Sequence, residues 1–316
     1  MKQKIRPEGL CGVWSAAPTP LRDDMTLDKV AVRRMVDHHV RLGVRGLFLA
    51  GTNGEGPWMP DACKRELVRE VVRWVAGRMP VAVQVSDNSA ARIMDNVRAA
   101  REDGADIAVI APPAMLLNAT PRRIRNHYLD AVRACPLPVG IYDRGRHSSV
   151  SVPESVLRAV YREPNVVLVK DSSSDPQRRE VALAARRRRP ELRLLDGDEF
   201  HCVDYLAAGY DGLLLGGGVF NGFLAGMIME AVAAGDLDGA RRLQRRMNRM
   251  MWSVYGGRKI RCWLSGEKAL LVELGVFRTW KNYLEYPLTA SCRRAIARVL
   301  ERDRDVLLPP EVKGRG

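Results

Sequence analysis

The amino-acid sequence predicts an α/β protein: a (β/α)8 TIM barrel with a C-terminal helical extension. Eight short apolar runs recur along the first 217 residues, and segments with helical periodicity separate them. Strands that are buried on both faces of a parallel sheet have this continuous apolar character. Eight alternating units favour a closed barrel over an open sheet, because open sheets more often stop at five or six strands.

The predicted strands and helices alternate in order. The strands cover residues 13–20, 46–52, 80–86, 106–113, 137–143, 166–172, 192–199 and 212–217. The helices cover residues 27–42, 60–76, 90–103, 120–134, 153–161, 175–188, 199–208 and about 221–234. Thr120-Pro121 marks one helix start clearly, since it combines a capping hydroxyl with proline at the first helical position.

Three more helical patterns, over residues 237–255, 260–274 and 289–302, have no strand between them and cannot be barrel units. We therefore expect the barrel over residues 8–235, a helical extension over 236–303 and a loosely ordered tail over 304–316. The packing face of the extension is predicted from its large apolar side chains, which are Met247, Met250, Met251 and Trp252.

Composition excludes several classes of protein. The chain has 316 residues, of which 46% are hydrophobic, so a large core can form. It has no apolar run of 18 residues, and residues 1–10 lack the apolar core of a signal peptide. The six cysteines are scattered without a Cys-x-x-Cys pair, which indicates reduced thiols and no zinc site. We expect a cytoplasmic protein with no membrane partner.

The net charge of +14 raises nucleic acid as a partner. The sharpest basic run, residues 186–189, falls between a helical pattern and Pro190, where a solvated helix end is expected. Arginine is spread along the whole chain, and aromatic residues make up only 6%. We therefore expect no nucleic-acid partner.

One lysine closes an apolar strand. The chain has 9 lysines against 42 arginines, and Lys170 follows the run Val166-Val167-Leu168-Val169. Apolar surroundings disfavour the charged form of a lysine and lower its pKa, which makes the amine nucleophilic near neutral pH. Such an amine forms a Schiff base with a carbonyl substrate. The alternative is a strand-end lysine that reaches solvent.

Other candidates also follow predicted strands, where the functional residues of a parallel barrel lie. Tyr142 ends the strand beside that of Lys170 and can serve as a proton shuttle; the alternative is a core tyrosine. Gly51-Thr52-Asn53 opens a loop with free N–H groups that suits a carboxylate, or else forms an ordinary turn. Gly216 and Gly217, after the eighth strand, could cradle an anion.

These motifs resemble the dihydrodipicolinate synthase/N-acetylneuraminate lyase family. The resemblance covers residues 10–300 in order and spacing, and its motifs are Gly51-Thr52-Asn53-Gly54-Glu55, Ile141-Tyr142, Val169-Lys170-Asp171-Ser172, Pro18-Thr19-Pro20 and Asp196-Gly197-Asp198. It implies a pyruvate-dependent class I lyase, usually tetrameric, that needs neither a metal nor an organic cofactor. Lys170 would form the imine and Tyr142 would be the acid/base group. Thr52 and Asn53 would hold the pyruvate carboxylate, mainly through backbone N–H groups, and the Thr52 hydroxyl would join the proton relay to Tyr142.

Departures from the family pattern bear on the substrate. The strand-4 loop has Pro113 and Ala114 where the synthases carry a tyrosine, and His147 stands where they carry an arginine for the second substrate. Both departures favour a 2-keto-3-deoxy sugar acid or hydroxy-oxoglutarate aldolase or dehydratase over a dihydrodipicolinate synthase. His147 would then touch the distal end of the substrate, or else lie exposed on its loop. A barrel that binds a small acid or phosphate without catalysis stays open.

Overall fold

The computed structural model describes residues 7–310 and contains the predicted barrel. Eight parallel strands close in sequence order, with β1 hydrogen-bonded to both β2 and β8. The strands are β1 Gly12–Ala16, β2 Gly46–Leu49, β3 Val81–Gln84, β4 Ile107–Ile110, β5 Val139–Asp143, β6 Val166–Asp171, β7 Arg193–Asp196 and β8 Gly212–Leu215. Every predicted strand is present, and most are shorter than predicted, because the apolar runs extend into buried loops at the barrel mouth.

Eight helices alternate with these strands and cover the outside of the barrel. They are α1 Lys29–Arg41, α2 Asp61–Val75, α3 Ala90–Glu102, α4 Pro121–Ala134, α5 Glu154–Val160, α6 Pro176–Arg188, α7 Cys202–Ala207 and α8 Gly218–Ala233. The predicted start of α4 is confirmed, since the Thr120 side chain accepts a hydrogen bond from the N–H of Arg123 and Pro121 is the first helical residue.

The helical extension is also confirmed. It contains α9 Leu237–Val254, α10 Trp263–Glu273, α11 Ala290–Arg302 and the short helix α12 Arg304–Leu307. Met247, Met250 and Met251 on α9 are fully buried, and Trp252 stacks on Phe200 with ring centres 5.9 Å apart.

Several predicted boundaries are wrong. Helix α8 begins at Gly218 rather than near residue 221, so the third glycine after β8 already belongs to a helix. Helix α7 begins at Cys202, which leaves Glu199 in a loop. Residues 304–310 are not a loose tail, because Val306 and Leu307 are buried and Asp303 accepts a hydrogen bond from Arg246 at 2.9 Å. Residues 311–316 of the predicted tail lie outside the described residues.

The apolar core has two layers. One lies between the strands and the surrounding helices, and the other fills the barrel interior with side chains such as Trp14, Phe48, Leu168 and Leu214. Tyr142 belongs to this inner layer. Side chains therefore fill the barrel interior below its mouth, and a functional site has to lie at the carboxyl ends of the strands. Between residues 7 and 310, no helix combines the length and apolar character needed to span a bilayer.

Candidate active site

Lys170 and Tyr142 lie side by side at the barrel mouth, as predicted. Strands β5 and β6 are neighbours, and their register pairs Tyr142 directly with Lys170. The Lys170 Nζ lies 4.5 Å from the centre of the Tyr142 ring. Two side chains that are 28 positions apart in the sequence thus form one contact, because consecutive strands of the barrel are adjacent in space.

Lys170 is held in an aromatic environment with little access to water. Its side chain is buried, and Nζ lies 5.2 Å from the centre of the Phe48 ring, which packs edge-on against Tyr142. Burial lowers the pKa of Lys170 below its ordinary value, although the neighbouring acidic groups of Tyr142 and Glu199 oppose the shift. The amine is therefore more readily available in its neutral, nucleophilic form than an exposed lysine would be.

Gly197 makes room for this lysine. A Cβ at position 197 would lie 2.8 Å from Lys170 Cε and 2.1 Å from Ser172 Oγ, both too close for any real side chain. The glycine in the predicted Asp196-Gly197-Asp198 motif is thus required by the packing of the lysine stem.

Tyr142 is surrounded by groups that favour its ionised form. Burial by itself raises the pKa of the phenol. The positive charges of Lys170 and Arg144 and the polar side chains of Thr52 and Ser172 outweigh that effect, so the pKa of Tyr142 is lowered. A buried phenol with a lowered pKa, beside an amine whose pKa is also lowered, can pass protons at near-neutral pH.

The loop after β2 is shaped by close contacts within its own backbone. A Cβ on Gly56 would lie 1.9 Å from the carbonyl oxygen of Ala50, and a Cβ on Gly54 would lie 2.8 Å from the Ala50 nitrogen. Ala50 and Glu55 adopt positive φ angles of 54° and 60°. Residues other than glycine are uncommon in this region, and such strain clusters at functional sites.

The turn leaves several backbone donors available, including those of Thr52 and Asn53. The Gly51 carbonyl accepts the N–H of Gly56, and the Thr52 carbonyl accepts the N–H of Glu55. The N–H groups of Thr52 and Asn53 themselves make no hydrogen bond within residues 7–310. Adjacent free N–H groups in a tight turn form a concave site for an anion.

The Asn53 side chain points into the protein. Its Nδ2 lies within hydrogen-bond distance of the carbonyls of Ala16 at 2.8 Å and Gly216 at 3.1 Å, and of Glu267 Oε1 at 3.1 Å. Asn53 therefore connects the ends of β1 and β8 with helix α10 and presents its backbone to the mouth.

The two predicted glycines after β8 hold an internal carboxylate. The Gly217 N–H donates to Glu199 Oε2 at 2.7 Å, and the Tyr255 hydroxyl donates to Glu199 Oε1 at 2.8 Å. Gly216 lies beside the same group, since a Cβ on it would be 3.6 Å from Glu199 Oε2. Burial raises the pKa of Glu199 despite these bonds and the nearby Lys170 charge. The anion cradle predicted at these glycines is thus occupied by the protein's own side chain.

His147 is not part of this cluster. It is exposed at the end of a short 3-10 turn, Gly145–His147, and its ring makes no hydrogen bond within residues 7–310. The cation whose charge acts on both Tyr142 and Lys170 is the half-buried Arg144. Of the two explanations given for His147, the structure favours the exposed loop residue.

A buried ion pair supports the end of β5. Arg178 on α6 donates from Nε and Nη2 to the two carboxylate oxygens of Asp143, at 2.9 and 2.7 Å. Arg178 also donates to the carbonyl of Val152, and Asp143 accepts the N–H of Gly145. These bonds fix the residue that follows Tyr142 and the loop beyond it.

Sequence reasoning missed four residues of the cluster: Phe48, Ser172, Glu199 and Tyr255. Ser172 and Glu199 follow β6 and β7 and were recognisable as mouth residues by position. Phe48 has the character of an ordinary strand residue. Tyr255 directly follows α9 and is 56 positions away from Glu199, its partner. No group of three or more His, Cys, Asp or Glu in the described part of the chain could hold a metal ion. All six cysteines are free thiols.

A lysine of lowered pKa beside a phenol, at the mouth of an eight-stranded parallel barrel, is an arrangement suited to a class I lyase. In that class of enzyme the lysine amine forms an imine with a carbonyl substrate. The fold and the site therefore fit a barrel enzyme of this class.

The chain belongs to the dihydrodipicolinate synthetase family, whose model matches residues 9–290. A 4-hydroxy-tetrahydrodipicolinate synthase from Alcanivorax borkumensis is 32% identical, covering 72% of this chain and 76% of that protein. A probable 2-dehydro-3-deoxy-D-pentonate aldolase from Escherichia coli is 29% identical, covering 75% and 79%. The structure of dihydrodipicolinate synthase from Bacteroides thetaiotaomicron superposes with a TM-score of 0.84 at 26% identity, covering 92% and 98%. The protein is thus a lyase of this family.

Proposed function

We propose that the protein acts on pyruvate or a pyruvate-derived 2-oxo acid through a Schiff base on Lys170. The observation that carries this proposal is the burial of the Lys170 amine against Phe48 and Tyr142, which lowers its pKa. The amine attacks the C2 carbonyl of the substrate, and the resulting carbinolamine loses water to give an iminium ion. The iminium then accepts the electron pair of the bond that breaks.

Tyr142 is the proton-transfer group in this proposal. In the cleavage direction the Tyr142 phenolate takes the proton of the C4 hydroxyl, and the C3–C4 bond breaks. The electron pair of that bond then forms the C2–C3 double bond of an enamine, which neutralises the iminium ion. The aldehyde leaves, the enamine is protonated at C3, and water hydrolyses the imine to release pyruvate and free Lys170. The polar side chains of Thr52 and Ser172, which lower the pKa of Tyr142, support this role by stabilising the phenolate.

The substrate carboxylate binds at the loop after β2. The free N–H groups of Thr52 and Asn53 support this assignment, and the close backbone approach at Gly51, whose Cβ would lie 2.6 Å from the Phe48 ring, keeps the loop compact. Two backbone donors to one carboxylate form charge-assisted hydrogen bonds, which are stronger than neutral ones.

The second half of the substrate is a hydroxylated chain, as in a 2-keto-3-deoxy sugar acid or 4-hydroxy-2-oxoglutarate. Glu199 supports this assignment, because a carboxyl near Lys170 can form hydrogen bonds with the hydroxyl groups of such a chain. Arg144, half-buried and close enough to act on Tyr142, can receive an acidic distal end. His147 remains a candidate for the distal end only if its loop closes over the substrate.

The alternative within the family is condensation of pyruvate with aspartate semialdehyde, the reaction that gives the Alcanivorax relative its name. The absence of a phenol in the loop Pro112-Pro113-Ala114 argues against it. The alternative from another class is a barrel that binds a small acid or phosphate at Gly216 and Gly217 without catalysis. Because Glu199 already accepts the N–H of Gly217, that alternative requires Glu199 to be displaced.

The test is a panel of substrates with matched variants. Pyruvate release from keto-deoxy sugar acids and 4-hydroxy-2-oxoglutarate is compared with condensation of pyruvate and aspartate semialdehyde. We expect cleavage of at least one sugar acid and about a tenfold or greater loss of kcat/KM in Glu199→Gln, the scale expected when a buried hydrogen bond to substrate is weakened. Glu191→Gln, at the exposed start of the same strand region, is the control. Turnover of aspartate semialdehyde alone would contradict the sugar-acid assignment.

We also propose that the protein is a cytoplasmic homodimer or homotetramer. Trp58, Met115 and Leu117 are large exposed apolar side chains on the loops after β2 and β4, and the N–H of Met115 is bonded to Asn88 in the loop between them. Large exposed apolar side chains on loops at the same end of the barrel favour a protein interface. Light scattering after gel filtration would show a monomer if this proposal is wrong.

A further inference from the structure

Helix α10 of the extension inserts two neighbouring charged side chains beneath the loop after β2. Glu267 and Lys268 are both completely buried. The Lys268 ammonium pairs with Glu55 and also donates to the carbonyl of Lys281 at 2.7 Å. Glu55 in turn accepts the N–H of Tyr283 at 2.6 Å. The far end of the loop is therefore anchored to the extension by a satisfied ion pair.

Glu267 anchors the near end of the same loop. Its Oε1 lies 3.1 Å from Nδ2 of Asn53, a residue of the turn whose own N–H group is free. The same amide nitrogen lies against the carbonyls of Ala16 and Gly216. An amide has two N–H bonds for these three acceptors. Glu267 and the two barrel carbonyls thus share the two N–H donors of the Asn53 side chain. These hydrogen bonds fix the orientation of that side chain.

The surroundings of Glu267 oppose a negative charge. Burial raises the pKa of Glu267 well above its ordinary value, and the nearby carboxylates of Glu199 and Glu55 add to that effect. Only the hydrogen bond from Asn53 and the charge of Lys268 act in the other direction, and Lys268 is already paired with Glu55. An uncharged carboxyl keeps Oε1 as an acceptor without the cost of burying an unpaired charge.

We propose that Glu267 is a positioning residue, whose hydrogen bond to Asn53 holds the Thr52 and Asn53 N–H groups in the geometry that receives the substrate carboxylate. The inference rests on the proposed Schiff-base function, since it concerns the same site. It assigns to the helical extension an indirect part in substrate binding, through a side chain that contacts Asn53 and not the substrate. What matters in this role is the acceptor oxygen, so glutamine can replace glutamate.

The experiment measures how pyruvate concentration controls borohydride trapping. Wild type, Glu267→Gln, Glu267→Leu and Glu267→Met are compared, with the exposed Glu273→Gln on the same helix as control. We expect both apolar variants to need about tenfold or more pyruvate for half-maximal trapping. This is the scale of one lost hydrogen bond to the charged carboxylate of the substrate. Trapping at saturating pyruvate should change less than about threefold, because Lys170 itself is untouched. Glu267→Gln and the control should match wild type.

Two results would overturn the inference. One is an unchanged pyruvate requirement in whichever apolar variant folds, as judged by circular dichroism. The other is a Glu267→Gln enzyme as impaired as Glu267→Leu, which would show that charge rather than hydrogen bonding matters. A wild-type enzyme that traps no 2-oxo acid would instead refute the proposed function, so the two failures are distinguishable.

Discussion

The buried pair of Asp143 and Arg178 offers a sharp test of how the end of β5 is stabilised. Arg178→Met removes the guanidinium and keeps much of its apolar stem. The side chain of Asp143 is then left 2% exposed with the N–H of Gly145 as its remaining partner. An unpaired carboxylate in that position is far more costly than the intact pair.

The magnitude follows from the geometry. Two unit charges about 4 Å apart attract by about 4 kcal/mol at an effective dielectric constant of about 20. The bidentate contact at 2.7 and 2.9 Å places these charges at about that separation. Loss of the bond to the Val152 carbonyl removes about 1 kcal/mol more. Breaking one partner of a buried pair typically destabilises by about 3–5 kcal/mol, and we expect that loss here.

Guanidinium denaturation followed by circular dichroism measures the free energy of unfolding. The control is Arg158→Met on α5, whose partner Glu154 is solvent-accessible, and it should cost less than about 1 kcal/mol. The double variant Asp143→Asn/Arg178→Met should be more stable than Arg178→Met alone, since it removes the stranded charge. A loss below about 1 kcal/mol in Arg178→Met would refute the reasoning.

Three further predictions concern the site. Tyr142→Phe should keep pyruvate adduct formation but lower kcat by about 10²-fold or more, as expected for loss of a general acid/base; an unchanged kcat would remove Tyr142 from the mechanism. Gly56→Ala should cost more than about 2 kcal/mol of unfolding free energy because its Cβ overlaps the Ala50 carbonyl, whereas Gly226→Ala, in open space on α8, should not destabilise. Burial raises the pKa of Glu267, so the contribution of this side chain to folding stability is present below about pH 4.5 and is lost as the pH rises. The free energy of unfolding of Glu267→Gln should therefore rise relative to that of wild type by up to about 1.4 kcal/mol per pH unit. A difference between the two proteins that stays constant with pH in urea unfolding would contradict this.

The sequence was sufficient to predict the barrel and its central contact. Each strand is an apolar run bounded by turn residues, and the chain order of the strands is also their spatial order. Lys170 and Tyr142 close consecutive strands, so their contact required no knowledge of side-chain packing. Thr52 was placed by the same logic, since its loop follows another strand of the barrel.

The support beneath the site was not predictable in this way. Glu267 and Asn53 are separated by 214 positions, and no local pattern specifies that α10 packs under the loop after β2. Lys268 follows Glu267 directly in a helical pattern, as a solvated charged residue could, yet it is fully buried. A signal was present, because Leu264 and the run Ala269-Leu270-Leu271 surround it with apolar residues. A helix that is apolar on all sides is expected to be buried.

The measurement that tests the central claim most directly is borohydride trapping with pyruvate, followed by intact-mass and peptide mass spectrometry. The account predicts one reduced pyruvyl adduct per chain, located on Lys170 and absent from Lys170→Ala, although that variant still folds. No adduct with pyruvate or longer 2-oxo acids, or an adduct on another lysine such as the buried Lys268, would contradict it.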